Sequence, residues 1–142
     1  MDSKSLVEKG FKEVGYWILE DDELQFYDCR KILPEKPGLY CFVSPIAVPR
    51  LCGCSDILYI GETDNLLRRI CENYKSPSNG QKTNIRVNDR MKKLLSYVKF
   101  VKIYVYIGEK LNKKELQEKQ EELLKKYEED HMELPPFNRK EK

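Results

Sequence analysis

The run Gly38-Leu39-Tyr40-Cys41-Phe42-Val43, followed at a distance by Ile57-Leu58-Tyr59-Ile60-Gly61, decides the fold of this 142-residue chain. Both runs are short, apolar and rich in β-branched and aromatic residues, the composition of a strand buried in a sheet. Pro34 and Pro37 bound the first run, and Gly61 ends the second. Between them, Ser44 to Ser55 holds two prolines and a Cys52-Gly53-Cys54, and it reads as a loop. The two runs therefore form a hairpin and pair antiparallel.

Outward from this pair, the pattern continues in both directions. Val14 to Leu19 and Glu23 to Tyr27 flank the acidic turn Asp21-Asp22 and read as a second hairpin, preceded by a short helix over Ser3 to Lys12. After Gly61, Thr63 or Asp64 is placed to cap a helix through about Tyr74, with Leu66, Leu67 and Ile70 on one side. Lys75 to Lys82 is a polar loop, Ile85 to Leu95 a second helix, and Val98 to Ile107 an alternating strand. Asn112 with Glu115 makes a capping box for a helix that runs to about His131, with Leu116, Leu123, Leu124 and Tyr127 on one face. The order is a hairpin, then β-β-α-α-β-α. The expected class is α+β: a small, mainly antiparallel sheet flanked by helices, with an N-terminal β-hairpin extension. Residues 1–35 form the helix and hairpin extension, and residues 36–142 the core.

Hydrophobic residues make up 40% and charged residues 35% of the chain, a soluble globular balance. No run approaches the roughly 20 apolar residues of a membrane span. The opening MDSKSLVEKG lacks the apolar core of a signal peptide, so a cytoplasmic protein with no membrane partner is expected. The five cysteines, Cys29, Cys41, Cys52, Cys54 and Cys71, are odd in number and irregularly spaced, and they read as free thiols of a reducing compartment. The C-G-C lacks a second C-x-x-C or a His pair, and His131 is the sole histidine, so a zinc set is not complete.

The net charge of +2 is uneven along the chain. From Leu66 to Lys102 ten basic residues stand against two acidic ones, which is +8, whereas residues 1–35 hold five basic against nine acidic, which is −4. Segregated positive charge is the footprint of a phosphate-binding face. Arg68, Lys82, Asn84, Arg86, Arg90 and Lys93 are the candidate nucleic-acid contacts.

Two tyrosines on neighbouring strands are ordinarily core. The paired strings Gly38-Leu39-Tyr40 and Tyr59-Ile60-Gly61, however, resemble the GIY-YIG nuclease family, in a stand-alone bacterial or phage-like branch. Arg69 lies ten residues after Tyr59, the spacing of that family's essential arginine. A helix of acidic character follows the third core strand, where the family carries a metal-binding glutamate. The ending Pro135-Pro136-Phe137-Asn138 resembles the family's Pro-x-aromatic-Asn. The resemblance spans about Pro37 to Asn138, roughly seventy per cent of the chain. It implies a DNA endonuclease that hydrolyses phosphodiester bonds with Mg²⁺ or Mn²⁺, and a dimer on DNA is left open.

The implied catalytic set is Tyr40, Tyr59, Arg69, Tyr74, Gln120 and Asn138. A tyrosine such as Tyr59 or Tyr40 passes a proton, and Arg69 offers a planar fork to two phosphate oxygens. The sequence departs from the family twice. The His or Tyr expected four residues after the arginine is Asn73 here, and a slip of one residue at the helix end would bring in Tyr74. The glutamate expected three residues before the aliphatic pair is Gln120, ahead of Leu123-Leu124. Gln120 shares the core-facing side of its helix, and Glu121 lies about 100° away. An amide does not carry the charge that Mg²⁺ requires. Either the chain is an inactivated variant, which the intact remainder of the site favours, or it is a naturally dead member, or Glu121 serves in a shifted register. The competing reading is a catalytically degenerate nucleic-acid-binding module. A protein-interaction role for the helix Lys113 to His131 rests on its charges alone.

Overall fold

The computed structural model describes residues 1–27, 33–74, 77–78 and 80–139. In chain order the elements are α1 (Ser3–Glu8), β1 (Lys12–Glu20), β2 (Glu23–Tyr27), β3 (Gly38–Pro49), β4 (Cys54–Thr63), α2 (Leu66–Arg68, continued as a π turn over Arg69–Asn73), α3 (Lys82–Leu94), β5 (Val101–Ile107) and α4 (Lys113–His131). The five strands form one sheet in the order β2-β1-β5-β3-β4. Every neighbouring pair is antiparallel. The class is α+β, and the N-terminal hairpin continues the central sheet through the β1–β5 pairing.

Alternation along the strands sends side chains to two cores. Tyr40 and Phe42 of β3 join Trp17, Leu58, Tyr59, Ile70, Tyr74, Val87 and Met91 on the face covered by α2 and α3. Leu39, Cys41 and Val43 join Leu6, Ile57, Ile60, Leu116, Leu123 and Tyr127 on the face covered by α1 and α4. The amphipathic stripe Leu116, Leu123, Tyr127 packs as its spacing requires, and Asn112 with Glu115 forms the capping box.

Three expectations need correction. Ser44 to Ser55 is not a loop throughout: β3 runs on to Pro49 and β4 begins at Cys54, with Val48 opposite Ser55 and Pro49 opposite Cys54. Pairing of β3 with β5 ends at Val43, so beyond that point β3 has one neighbour and its prolines leave no ladder bond unmade on the other side. The cap of α2 is Asn65, whose side chain accepts from the Arg68 amide at 3.0 Å, while the Thr63 hydroxyl accepts from the Asn65 amide. Cys41, Cys52 and Cys54 are free, but Cys71 is disulfide-bonded. Cys29 lies outside the described residues. Among the described residues no helix is long and apolar enough to cross a membrane.

Trp17 ties the hairpin to the core. It is fully buried, 5.2 Å from the Phe26 ring and 6.4 Å from Phe42 of β3. Trp17→Ala is expected to cost about 3–5 kcal/mol of global stability in denaturant unfolding, as for other buried aromatics cut to alanine. A loss confined to the hairpin signal, with the core transition unmoved, would contradict a shared core.

Candidate active site

The site begins with a glycine. Gly61 of β4 lies directly opposite Tyr40 of β3. A side chain there would meet the Tyr40 ring at 2.4 Å, its hydroxyl at 2.6 Å and the Tyr59 ring at 2.7 Å. The bare backbone at 61 lets both phenols lie over the strand. Four rings then pack together. Tyr40 is 5.9 Å from Tyr59 and 5.8 Å from Tyr74, and Phe42 is 5.7 Å from Tyr59. The Tyr40 and Tyr74 hydroxyls share a short hydrogen bond.

Tyr74 reaches this cluster through the π turn. A π turn closes i→i+5 and places one extra residue in the helix, and such turns recur at functional sites. Here the Tyr74 amide donates to the Arg69 carbonyl at 3.2 Å, five residues back. The extra residue brings Tyr74, rather than Asn73, inward. Asn88 of α3 then donates from its side-chain amide to the Tyr74 carbonyl.

Arg69 is half-buried, and Tyr40 and Tyr74 are the groups that favour its charge. Burial opposes its charge, but the two phenols outweigh burial and its pKa rises. Burial, then the neighbouring phenols, pushes Tyr40 well above the usual phenol range. Burial and Tyr59 do the same for Tyr74. Tyr40 and Tyr74 are thus neutral hydroxyls, and they favour the charge of Arg69. Tyr59 is the phenol that lines the adjoining groove.

The second half of the site sits on the free edge of β4. The Ile60 carbonyl, between Tyr59 and Gly61, accepts from Asn138 Nδ2 at 3.0 Å and from Gln120 Nε2 at 3.2 Å, and the Ile60 amide donates to Asn138 Oδ1 at 3.0 Å. The Phe137 amide donates to the Leu58 carbonyl at 2.8 Å. The structure therefore brings Gln120 and Asn138 to one carbonyl beside the tyrosines. Glu121 is exposed.

Beside Tyr59 opens a groove of about 780 Å³, lined chiefly by Lys82, Arg86, Arg90, Lys93 and Arg139, with Asp89 its one acid among the described residues. Arg86 donates to the Phe137 carbonyl, and burial together with Arg139 and Arg90 lowers its pKa. Like charges held this close favour an anion among them. Two of the sequence candidates lie outside the groove. Arg68 is exposed and paired with Asp64 at 3.2 Å, and Asn84 is buried and lines a smaller pocket with Arg69. Arg139 escaped the sequence reading, although it directly follows the Pro-Pro-Phe-Asn ending.

A Mg²⁺ or Mn²⁺ ion needs carboxylate oxygen. Gln120 supplies an amide that already donates to Ile60, and among the described residues no group of three or more His, Cys, Asp or Glu could hold a metal. The donors present do not fit the ion.

Tyr40 and Tyr74 are expected to stay neutral in an ultraviolet phenolate titration through the range where exposed tyrosines ionise. The double change Tyr40→Phe with Tyr74→Phe should therefore leave the phenolate amplitude of that range unaltered. A drop of two tyrosines' worth would contradict the buried assignment.

No protein-family model and no curated protein matches the sequence. Among solved structures, a point mutant of EndoII from bacteriophage T4 is similar at a TM-score of 0.62 and 15% identity, over 96% of this chain and 98% of that one. The GIY-YIG N-terminal endonuclease domain of UvrC from Thermotoga maritima, bound to magnesium, is similar at a TM-score of 0.48 and 21% identity, over 80% of this chain and 98% of that one. With its GLY and YIG strands paired, its arginine on the following helix and its Asn138 on the strand edge, the chain has the fold of the GIY-YIG nucleases.

Proposed function

We propose that this chain is a DNA endonuclease domain of GIY-YIG type whose phosphate-handling parts are in place and whose residue 120 lacks the charge for efficient cleavage. The observation that carries this reading is the convergence of Tyr40, Tyr59, Tyr74 and Arg69 at the end of a groove lined by five cations. DNA lies along the groove, its phosphates against Lys82, Arg86, Arg90, Lys93 and Arg139. Arg69, whose charge the two buried phenols favour, takes the reacting phosphate with its fork, geometry that a lysine does not copy. Tyr59, at the groove wall, is the phenol that exchanges a proton with the reacting group, help worth roughly 10²–10⁴ in rate. Asn138 and Gln120 fix the backbone between Tyr59 and Gly61. In this reading a glutamate at 120 would supply the carboxylate for Mg²⁺ or Mn²⁺, which polarises the phosphate when bound.

A second reading, a nucleic-acid-binding module with a degenerate site, is favoured by one observation: Gln120 makes a structural hydrogen bond that a carboxylate cannot donate. The two readings separate in a cleavage assay with Mg²⁺ on three chains. This chain is expected to bind DNA and cut it poorly, Gln120→Glu to cut at least tenfold faster, and Glu121→Gln to behave like the parent. Robust cutting by the parent that Glu121→Gln abolishes would move the metal ligand by one residue. No cutting by any chain would leave the binding module.

Affinity for a DNA duplex should fall steeply with salt, as neutralised phosphates release counterions. Arg86→Ala and Arg90→Ala should each weaken binding to unrelated sequences alike and flatten the salt slope by about 0.9. Affinity independent of salt would remove DNA from the groove.

A further inference from the structure

We propose that Tyr97 stacks on an unpaired base of the DNA. The substrate is then duplex joined to a single-stranded stretch, not continuous duplex. This inference rests on the DNA reading above and deepens it, naming the class of DNA and a contact that reading does not contain.

Tyr97 is 83% exposed, more than any other large apolar side chain among the described residues. The other exposed tyrosines have partners. Tyr16 and Tyr27 stack on each other at 5.4 Å, and the Tyr27 hydroxyl donates to Glu20 at 3.4 Å. Among the described residues the Tyr97 ring meets no other ring, and its hydroxyl has no hydrogen bond. The fold gains nothing from a ring left in water, since apolar area stabilises only when covered. A single exposed ring is nonetheless ordinary on a protein surface. What separates Tyr97 from such a ring is where it stands.

The cations of α3 form one stripe. At about 100° per residue, Lys82, Arg86, Arg90 and Lys93 fall within an arc of about 80°. Tyr97 falls inside the same arc, about 6 Å beyond Lys93 along the helix axis. α3 ends at Leu94, but its winding carries on. The Tyr97 amide donates to the Leu94 carbonyl at 2.9 Å, and the Val98 amide to the same carbonyl at 3.1 Å. The ring thus stands at the far end of the groove, one turn past Lys93. A strand whose phosphates follow the cations brings its next base to this ring. Inside a duplex that base has both faces covered by its neighbours and offers a phenol nothing to stack on. An unpaired base has a free face. Stacking on an aromatic side chain beside a basic groove is how single strands are held without regard to sequence, and it is worth roughly 5- to 140-fold in affinity per base.

The test is binding of the whole chain to three DNAs, followed by fluorescence anisotropy: a blunt duplex, the same duplex with a single-stranded tail in either polarity, and that duplex with an abasic tail. The parent is expected to bind the tailed duplex at least fivefold tighter than the other two. An abasic tail keeps its phosphates and loses only the faces that a ring could meet. Tyr97→Ala should erase the preference for the tail, and Tyr97→Trp should keep it. Because no charge and no packed group is removed, Tyr97→Ala should leave the salt slope and the melting temperature unmoved. A fluorescent adenine analogue in the tail should dim on binding the parent and stay bright with Tyr97→Ala. A tail preference that survives Tyr97→Ala, or an abasic tail bound as well as the natural one, would overturn the stacking and leave the DNA reading standing. So would equal binding of blunt and tailed duplex by the parent. A lowered melting temperature in Tyr97→Ala would mark the ring as part of the fold and overturn the stacking likewise. A parent that binds none of the three DNAs at any salt would overturn the DNA reading and the stacking with it.

Discussion

The carbonyl of Ile60 is where the molecule is tied together. β4 is an edge strand, and an edge strand leaves every second N–H and C=O without a ladder partner. At Ile60 those groups are met by the side-chain amide of Asn138, which gives one donor and one acceptor as a neighbouring strand would. Gln120 adds a third bond from α4. The chain's last described segment, the long helix on one face and the strand that carries Tyr59 and Gly61 are thus joined at a single residue. Loss of the Asn138 amide would free the strand edge and the tail together. Buried polar groups left unmatched in this way cost about 1–3 kcal/mol each.

The phenols depend on the same strand from its other side. Gly61 has no side chain, and only for that reason can the Tyr40 ring cross over β4 and reach Tyr74. Burial keeps the two hydroxyls neutral, so they serve Arg69 as fixed dipoles rather than as bases.

Much of this was legible in the sequence. The two strings that pair, the arginine ten residues on and the amphipathic stripe of α4 follow from spacing, because period-2 and period-3.6 patterns report which face is buried. The role of residue 74 was legible only as a mismatch of one. No propensity identifies a π turn, and its cause is tertiary: Asn88 and the ring cluster hold Tyr74 inward. The same holds for the hairpin tip. Pro45 and Pro49 signal a break by local rules, but a strand with one neighbour tolerates them. Asn84 read as a surface contact and is buried, because its place on α3 follows from how the helix lies against α2, which no local pattern encodes. The disulfide at Cys71 is a pairing, and pairings are not readable from irregular spacing.

Gln120 shows how one side chain can answer a structural and a chemical demand differently. As an amide it donates to Ile60 and strengthens the edge. As a carboxylate it would donate nothing, would set a negative charge beside an acceptor oxygen, and would leave Asn138 as the carbonyl's one side-chain partner. The exchange from glutamine to glutamate therefore trades roughly 1 kcal/mol of hydrogen bonding for a charge that has value only when a cation balances it. Functional sites commonly hold such locally unfavourable groups, and replacing them by a better-bonded neighbour raises stability while lowering activity. Glutamine at this position is the choice that serves the fold. The rest of the proposed site keeps the parts that phosphate would call for: the buried phenols, Arg69 and five cations along one groove. A protein selected for stability alone would have no reason to keep Arg86 beside Arg90 and Arg139, where their mutual repulsion and burial already lower the Arg86 pKa. That cost is offset when an anion lies among them, which is the electrostatic ground for the proposal that nucleic acid lies along this groove.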